Sequence, residues 1–76
     1  NGPIDALINA LSLDLDLEIK IADYHQHAIS SGSDAKAVAY SEISYKEQSV
    51  WGIGIHQNTV IAGLESIING LNRLSI

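Results

Sequence analysis

Two histidines, two residues apart, are the side chains of this sequence best suited to bind a metal ion. His25 and His27 would share one face of a β-strand, because side chains alternate between the two faces along a strand. With Asp23 or His56 as a further ligand, they could bind zinc or nickel. The same spacing is also commonplace among histidines that are only solvated or hydrogen-bonded at a protein surface. We therefore assign no metal-binding residue.

Nucleophilic catalysis has little support in the sequence. It contains no cysteine, and no serine stands in a nucleophile elbow or a recognisable triad arrangement. We predict no catalytic residue in this chain and no enzyme activity of its own. The lack of cysteine leaves the cellular compartment open, with a slight preference for the cytoplasm. No basic region of a signal peptide is present and no apolar run reaches the roughly 18 residues that span a membrane, so we expect a soluble chain.

The first five residues, Asn1, Gly2, Pro3, Ile4 and Asp5, form a turn that leads into a helical pattern without an initiator methionine. Proline is typical of the first position of a helix. The amides of a helix that opens at Gly2 and Pro3 lack partners within the helix, and such amides attract a carboxylate. Alternatively, the segment is only a cap and a linker. The junction also leads us to expect a preceding element in a longer parent protein, so that the chain is a fragment.

The hydrophobic pattern changes period along the first third of the chain. A helix is predicted from about Pro3 to Ser12, since Ile4, Leu7, Ile8 and Leu11 recur at helical spacing. From Leu13 to Ile21 apolar and polar residues alternate, which predicts a strand whose first residues could belong to the connection. After Ala22 the alternation slips. This indicates either a β-bulge or a strand whose second face is covered elsewhere.

Two more strands and a helix are predicted in the rest of the chain. A strand from Asp34 to about Tyr45 carries small residues on one face, which implies that a helix or a partner packs closely there. A third strand spans residues 50–55, and its glycines mark either a close approach of backbone or ligand, or a bend. A final helix begins at Asn58 or Thr59 and has one apolar stripe: Ile61, Leu64, Ile67, Ile68, Leu71 and Leu74.

This order predicts an α+β fold of αβββα type, a three-stranded antiparallel sheet with both helices packed on one face, as a single domain over residues 1–76. A composition with 46% apolar and 17% charged residues is ordinary for a globular protein. At 76 residues the core must be thin, so we expect self-association or docking on a larger body. Double-stranded RNA-binding domains share the order, but the net charge of −5 and the absence of basic residues at positions 58–62 argue against nucleic acid.

Five short motifs, in order, resemble the C-terminal regulatory domain of 2-isopropylmalate synthases, and related domains end the citramalate synthases. The resemblance covers essentially the whole chain. The motifs are Asn1-Gly2-Pro3-Ile4-Asp5-Ala6; Asp23-Tyr24 with His27-Ala28; Gly32-Ser33-Asp34-Ala35 with Ala39-Tyr40; Trp51-Gly52-Ile53-Gly54-Ile55; and Leu71-Asn72-Arg73.

The resemblance implies a domain of two pseudo-symmetric βββα units, of which this chain is one whole unit preceded by the last helix of the other. Family members are acyl-CoA-dependent Claisen-type synthases with a TIM-barrel catalytic domain that holds a divalent metal and uses acetyl-CoA as a substrate. Their C-terminal domain binds leucine or isoleucine as a feedback inhibitor. No cofactor is implied for this chain itself. It lacks the strands of the first unit, which puts a complete pocket in doubt.

Residue chemistry and the resemblance together suggest effector-binding residues. Residues 1–5 would bind the carboxylate of an amino acid, and Asp5, Asp34 or a backbone carbonyl would accept from its ammonium group. Five positions match pocket-lining positions of the family: Ile21, Tyr24, Ala28, Ala35 and Ile55. The alternative is that the four aliphatic residues belong to the core and that Asp34 is only a turn residue. Tyr24 is the strongest candidate, because it combines packing area with a hydroxyl.

Two hypotheses remain open. In the first, a branched-chain amino acid binds between this unit and its neighbour and shifts the equilibrium of the catalytic domain. In the second, the apolar faces serve dimerisation alone and no ligand binds. In either case we expect a homodimer, formed by pairing of exposed sheets. The sequence does not distinguish leucine from isoleucine, which differ only in the position of one methyl branch.

Overall fold

The computed structural model describes residues 2–15, 18–30 and 32–74. Its elements are α1 (Gly2–Leu15), β1 (Ile19–Ala28), β2 (Ala37–Tyr45), β3 (Gln48–His56) and α2 (Thr59–Leu71). The strands form one antiparallel sheet in the order β1-β2-β3. The predicted αβββα order is confirmed.

The predicted strand start at Leu13 is wrong, because α1 continues to Leu15 and β1 begins only at Ile19. The alternation of leucine with aspartate suggested a strand, but leucine is a strong helix former and lacks the β-branch that favours strands. The side chain of Leu13 is 83% exposed. Within the alternating segment, the first β-branched residue is Ile19, where the strand starts.

The slip after Ala22 is a β-bulge. Ile21 pairs with Ile43 and Asp23 with Glu42, so that Ala22 is the extra residue of β1. The bulge shifts the alternation by one position. As a result Tyr24, which pairs with Ser41, takes the same face of the sheet as Ile21.

Both helices cover this inner face of the sheet, as predicted. The buried core joins one residue from α1 and one from α2 to three strand residues and a residue just beyond α2: Ile4, Ile67, Ile19, Ile43, Tyr45 and Leu74. A smaller cluster of Ala37, Ala39 and Ala62 lies further along β2 and α2. The small residues predicted to face a helix or a partner therefore face α2.

Two glycines of β3 let α2 lie directly on the sheet. A Cβ atom at Gly52 would overlap the backbone of Ser66 and Gly70, and one at Gly54 would overlap that of Ala62. A buried hydrogen bond of 2.6 Å between the hydroxyls of Ser41 and Ser66 joins the same surfaces. The close approach predicted from these glycines is thus an approach of helix backbone.

Side-chain capping and a tight loop set the remaining element ends. The Asn58 side chain accepts hydrogen bonds from the amides of Val60 and Ile61, at 2.9 and 3.1 Å, which starts α2. Strand β2 starts at Ala37 rather than Asp34, because Asp34 lies in the loop after β1. None of the helices within the described ranges is long and apolar enough to cross a membrane.

Candidate functional site

The hydroxyl of Tyr24 is a buried polar group at the junction of three elements. The bulge at Ala22 directs the Tyr24 ring to the inner face, where it packs against both core clusters. Its Oη atom is buried and has no hydrogen-bond partner among the described residues. Burial also raises the pKa of Tyr24 above its ordinary value of 10.0. The phenol is therefore neutral at physiological pH and can donate a hydrogen bond.

Gly63 of α2 provides the space around this hydroxyl. A Cβ atom built at Gly63 would lie 2.7 Å from the Tyr24 Oη and 3.0 Å from the Cδ1 of Ile4. Any larger residue would therefore push on both side chains. We call Ile4, Tyr24 and Gly63 the Tyr24 corner, the place where α1, β1 and α2 meet.

The first turn of α1 lies beside the Tyr24 corner. Ile4 belongs to this turn and is buried, whereas Gly2, Pro3 and Asp5 around it are exposed. The amino end of a helix carries the positive end of its dipole, which favours a nearby anion. The corner therefore combines a positive helix end, a neutral hydroxyl and an apolar side chain.

The structure brings together only some of the predicted effector-binding residues. Ile21 is half-buried on the inner face and packs against the core cluster that contains Ile4. Ala28 is exposed at the end of β1. Asp34 is exposed and Ala35 half-buried in the loop that follows, where the Asp34 carbonyl accepts from the Ser30 hydroxyl at 3.1 Å.

Ile55 and Asn1 need separate mention. Ile55 pairs with Val38 on the outer face of the sheet, opposite to Tyr24, and is 49% exposed. Asn1 lies outside the described residues. The described ranges 2–15, 18–30 and 32–74 form no pocket of ligand size. No enclosed cavity therefore lies at the Tyr24 corner within these ranges.

The histidines lie elsewhere and make contacts of their own. His25 Nε2 is 3.0 Å from the Asp23 carboxylate, and the His25 ring stacks on Trp51 with centroids 6.2 Å apart. His56 accepts from the amide of Asn58 at 2.9 Å. Within the part of the chain that the structure describes, no three histidine, aspartate or glutamate residues are placed to hold a metal ion together.

Comparison with known proteins gives a match over nearly the whole chain. The family model for the LeuA allosteric (dimerisation) domain matches residues 1–75. The chain belongs to this LeuA domain family. Among its relatives, the 2-isopropylmalate synthase of Rhizobium meliloti (strain 1021) is 47% identical over 73 residues, and that of Schizosaccharomyces pombe is 40% identical over 75 residues.

These alignments cover 96% and 99% of the chain, respectively, but only 13% of each relative. The 2-isopropylmalate synthase of Parafrankia sp. (strain EAN1pec), 44% identical over 75 residues, gives the same 13%. The LeuA domain therefore corresponds to a small part of these longer proteins, and the comparisons identify it as their regulatory and dimerisation domain.

Sequence reasoning missed the place of Gly63 in the Tyr24 corner of this LeuA domain. The signal was present, because Gly63, Ser66 and Gly70 place small side chains three and four residues apart in a helix that is mostly apolar. Such a row indicates close packing. It does not by itself reveal that a tyrosine hydroxyl from another element lies above the first of these residues.

Proposed function

We propose that this LeuA domain binds a branched-chain amino acid, leucine or isoleucine, and that the bound effector inhibits a parent 2-isopropylmalate synthase. The observation that carries the proposal is the buried Tyr24 hydroxyl without a partner among the described residues, next to the first turn of α1. A buried hydroxyl that makes no hydrogen bond costs about 1–3 kcal/mol. A ligand group that bonds to it removes this penalty.

The chemistry of the Tyr24 corner matches the two ends of such a ligand. The amino end of α1 favours the effector carboxylate, and the neutral Tyr24 hydroxyl can donate to one of its oxygens. Ile4 and Ile21 offer an apolar surface to the branched side chain. Asp5, in the first turn of α1, supplies negative charge for the ammonium group.

The opposite wall of the site has to come from another surface. We assign that wall to a neighbouring βββα unit, because the described residues form no pocket of their own at the corner. An effector that contacts both walls favours one relative placement of them. Such differential binding transmits about 1–3 kcal/mol to a distant site. Ala28 at the end of β1, the loop residues Asp34 and Ala35, and Ile55 on the outer face would contact the effector only through that assembly.

The parent protein is proposed to be an acyl-CoA-dependent Claisen-type synthase in the cytoplasm. Its relatives are named 2-isopropylmalate synthases. Its catalytic TIM barrel, with a divalent metal and acetyl-CoA as a substrate, would be the second partner of this domain. We place no catalytic residue and no cofactor in residues 1–76.

Calorimetric titration of leucine and of isoleucine into the parent enzyme tests the proposal. We expect saturable heat with at least one of them and a binding constant about tenfold weaker in Tyr24→Phe, which loses only the hydroxyl. Tyr40→Phe is the matched control, because Tyr40 lies on the outer face, away from the Tyr24 corner. No heat with either amino acid, in enzyme shown to be folded and active, would contradict effector binding.

A purely structural dimerisation domain is the second candidate, and the exposed apolar outer face of the sheet favours it. It predicts that neither amino acid changes the heat, the thermal stability or the activity of the parent. The titration therefore separates the two candidates directly.

A further inference from the structure

The outer face of the sheet exposes several large apolar and aromatic side chains. Cross-strand pairing arranges it in three rows, and we define the outer face by them: His27-Val38-Ile55, His25-Tyr40-Ile53 and Asp23-Glu42-Trp51. Four of its large side chains remain 37–49% exposed, namely Tyr40, Trp51, Ile53 and Ile55. Both helices lie on the inner face, so that no described element covers the outer one.

Ring contacts within the outer face make it a prearranged surface. The His25 ring stacks on Trp51 at an interplanar angle of 18°, and the His27 ring meets Tyr40 edge to face with centroids 6.3 Å apart. These contacts join β1 to β2 and to β3. Their side chains therefore lose little conformational freedom when a partner covers them.

The edges of the sheet are less suited to association than its outer face. On β3, the amide of Ile53 already donates to the Asn69 side chain of α2 at 3.0 Å. On β1, the bulge at Ala22 interrupts the regular pairing that an added strand would need. Stacking face to face leaves both of these features undisturbed.

We propose that a second copy of this chain covers the outer face, with a twofold axis that lies between the stacked sheets and runs perpendicular to the strands. This inference rests on the dimerisation function of the LeuA domain and names the surface that serves it. The exposed side chains amount to about 500 Å² per copy, hence about 1,000 Å² in total, near the lower limit for a specific interface.

Charge selects the direction of the axis. An axis perpendicular to the strands stacks the central row, His25-Tyr40-Ile53, on the same row of the partner. It places the row that contains Asp23 on the partner's row that contains His27. An axis parallel to the strands would instead stack Glu42 on the partner's Glu42. Like charges that face each other across an interface cost several kcal/mol, so the perpendicular axis is favoured. The perpendicular axis thus avoids the like-charge contact between the two copies.

Sedimentation of the chain and of Ile53→Lys tests the proposal. The perpendicular axis places the two copies of residue 53 opposite each other, and we expect the lysines to raise the dimer dissociation constant at least a hundredfold. Ile68→Lys is the matched control, because Ile68 is 51% exposed on α2 and does not belong to the outer face. Circular dichroism must show that both variants fold. A dimer that persists in Ile53→Lys, or that Ile68→Lys dissociates equally, overturns the proposal, and so does a chain that stays monomeric at millimolar concentration.

The sole tryptophan provides an independent readout without mutation. Trp51 is 41% exposed in the outer face. We expect its emission to move to shorter wavelength, and its quenching by acrylamide to fall, as the concentration rises through the dimer dissociation constant. An emission spectrum that stays constant while sedimentation shows dimerisation would place the interface elsewhere.

A single cysteine tests the axis, since the chain has none of its own. A short bifunctional maleimide should join two copies of His25→Cys, whose residues face each other only with the perpendicular axis, and should leave the exposed control Leu13→Cys monomeric. Cross-linking of the control alone overturns the assigned axis.

The leucine titration remains a separate test, because Ile53→Lys leaves the Tyr24 corner intact. A variant that loses the dimer but retains the heat of leucine binding supports both proposals. A protein that dimerises without any heat of leucine binding contradicts only effector binding.

Discussion

The direct contact between α2 and β3 predicts that Gly52→Ala is strongly destabilising. The Cβ atom added at Gly52 would overlap backbone atoms of Ser66 and Gly70, which cannot rotate away as a side chain can. Helix α2 would have to move off the sheet. This movement would also disturb the hydrogen bond between the Ser41 and Ser66 hydroxyls.

The magnitude follows from two opposing effects. Overpacking of a tight interior costs about 1–3 kcal/mol, and contact with rigid backbone places Gly52→Ala at the upper end of this range. Replacing glycine also reduces the conformational entropy of the unfolded chain, which returns about 0.4–1 kcal/mol. We expect a net loss of about 2 kcal/mol. A domain of this size has a total unfolding free energy of about 4–11 kcal/mol, so the loss is a large part of it.

Urea unfolding followed by circular dichroism measures this loss as a lower midpoint at an unchanged slope. Gly2→Ala is the control, because no atom lies within 4 Å of a Cβ at Gly2, and we expect its unfolding free energy to change by less than about 0.5 kcal/mol. If Gly52→Ala were as stable as the unchanged chain, the helix backbone could not rest on β3 as described.

Three further perturbations have defined outcomes. Asn58→Ala removes the two hydrogen bonds that start α2 and should lower the free energy of unfolding by about 1 kcal/mol, measured in urea. Gly63→Ala fills the space at the Tyr24 hydroxyl and should weaken leucine binding by the parent at least tenfold in calorimetry, while Tyr40→Phe on the outer face leaves the affinity nearly unchanged. Because burial raises the pKa of Tyr24, the fold favours the neutral phenol. The contribution of this shift to the free energy of unfolding should therefore be fully present below about pH 10 and be lost as the pH rises through the folded-state pKa of Tyr24. Thermal unfolding measures this loss, which Tyr24→Phe should remove.

Much of the fold could be predicted because most local patterns agree with the tertiary structure. The alternation around Ile19 and Ile21 predicts β1, and its slip at Ala22 marks the bulge. The start of β1 was misplaced because leucine and aspartate alternate through the last turn of α1, where period alone does not separate helix from strand. The sequence contains no cue stronger than the missing β-branches to correct this.

The candidate site was less predictable because it depends on which face of a strand turns inward. In β3, burial of apolar side chains would turn Ile53 and Ile55 toward the core, yet these isoleucines face outward. Gly52 and Gly54 face inward instead, because the backbone of α2 occupies the space that side chains would need. Ile55 and Tyr24 are consequently on opposite faces, a relation that only the three-dimensional packing determines.

The same packing bears on how an effector could act on this domain. Helix α2 rests on β3 through backbone contacts at Gly52 and Gly54, so that α2 and the sheet move as one body. Helix α1 is held mainly by side chains, with Ile4 buried and Leu7 and Ile8 only half-buried against the core. A ligand at the Tyr24 corner would bind where these two differently attached helices meet. We therefore expect effector binding to displace α1 while α2, the sheet and the outer face keep their arrangement, so that regulation would leave the proposed dimer contact intact.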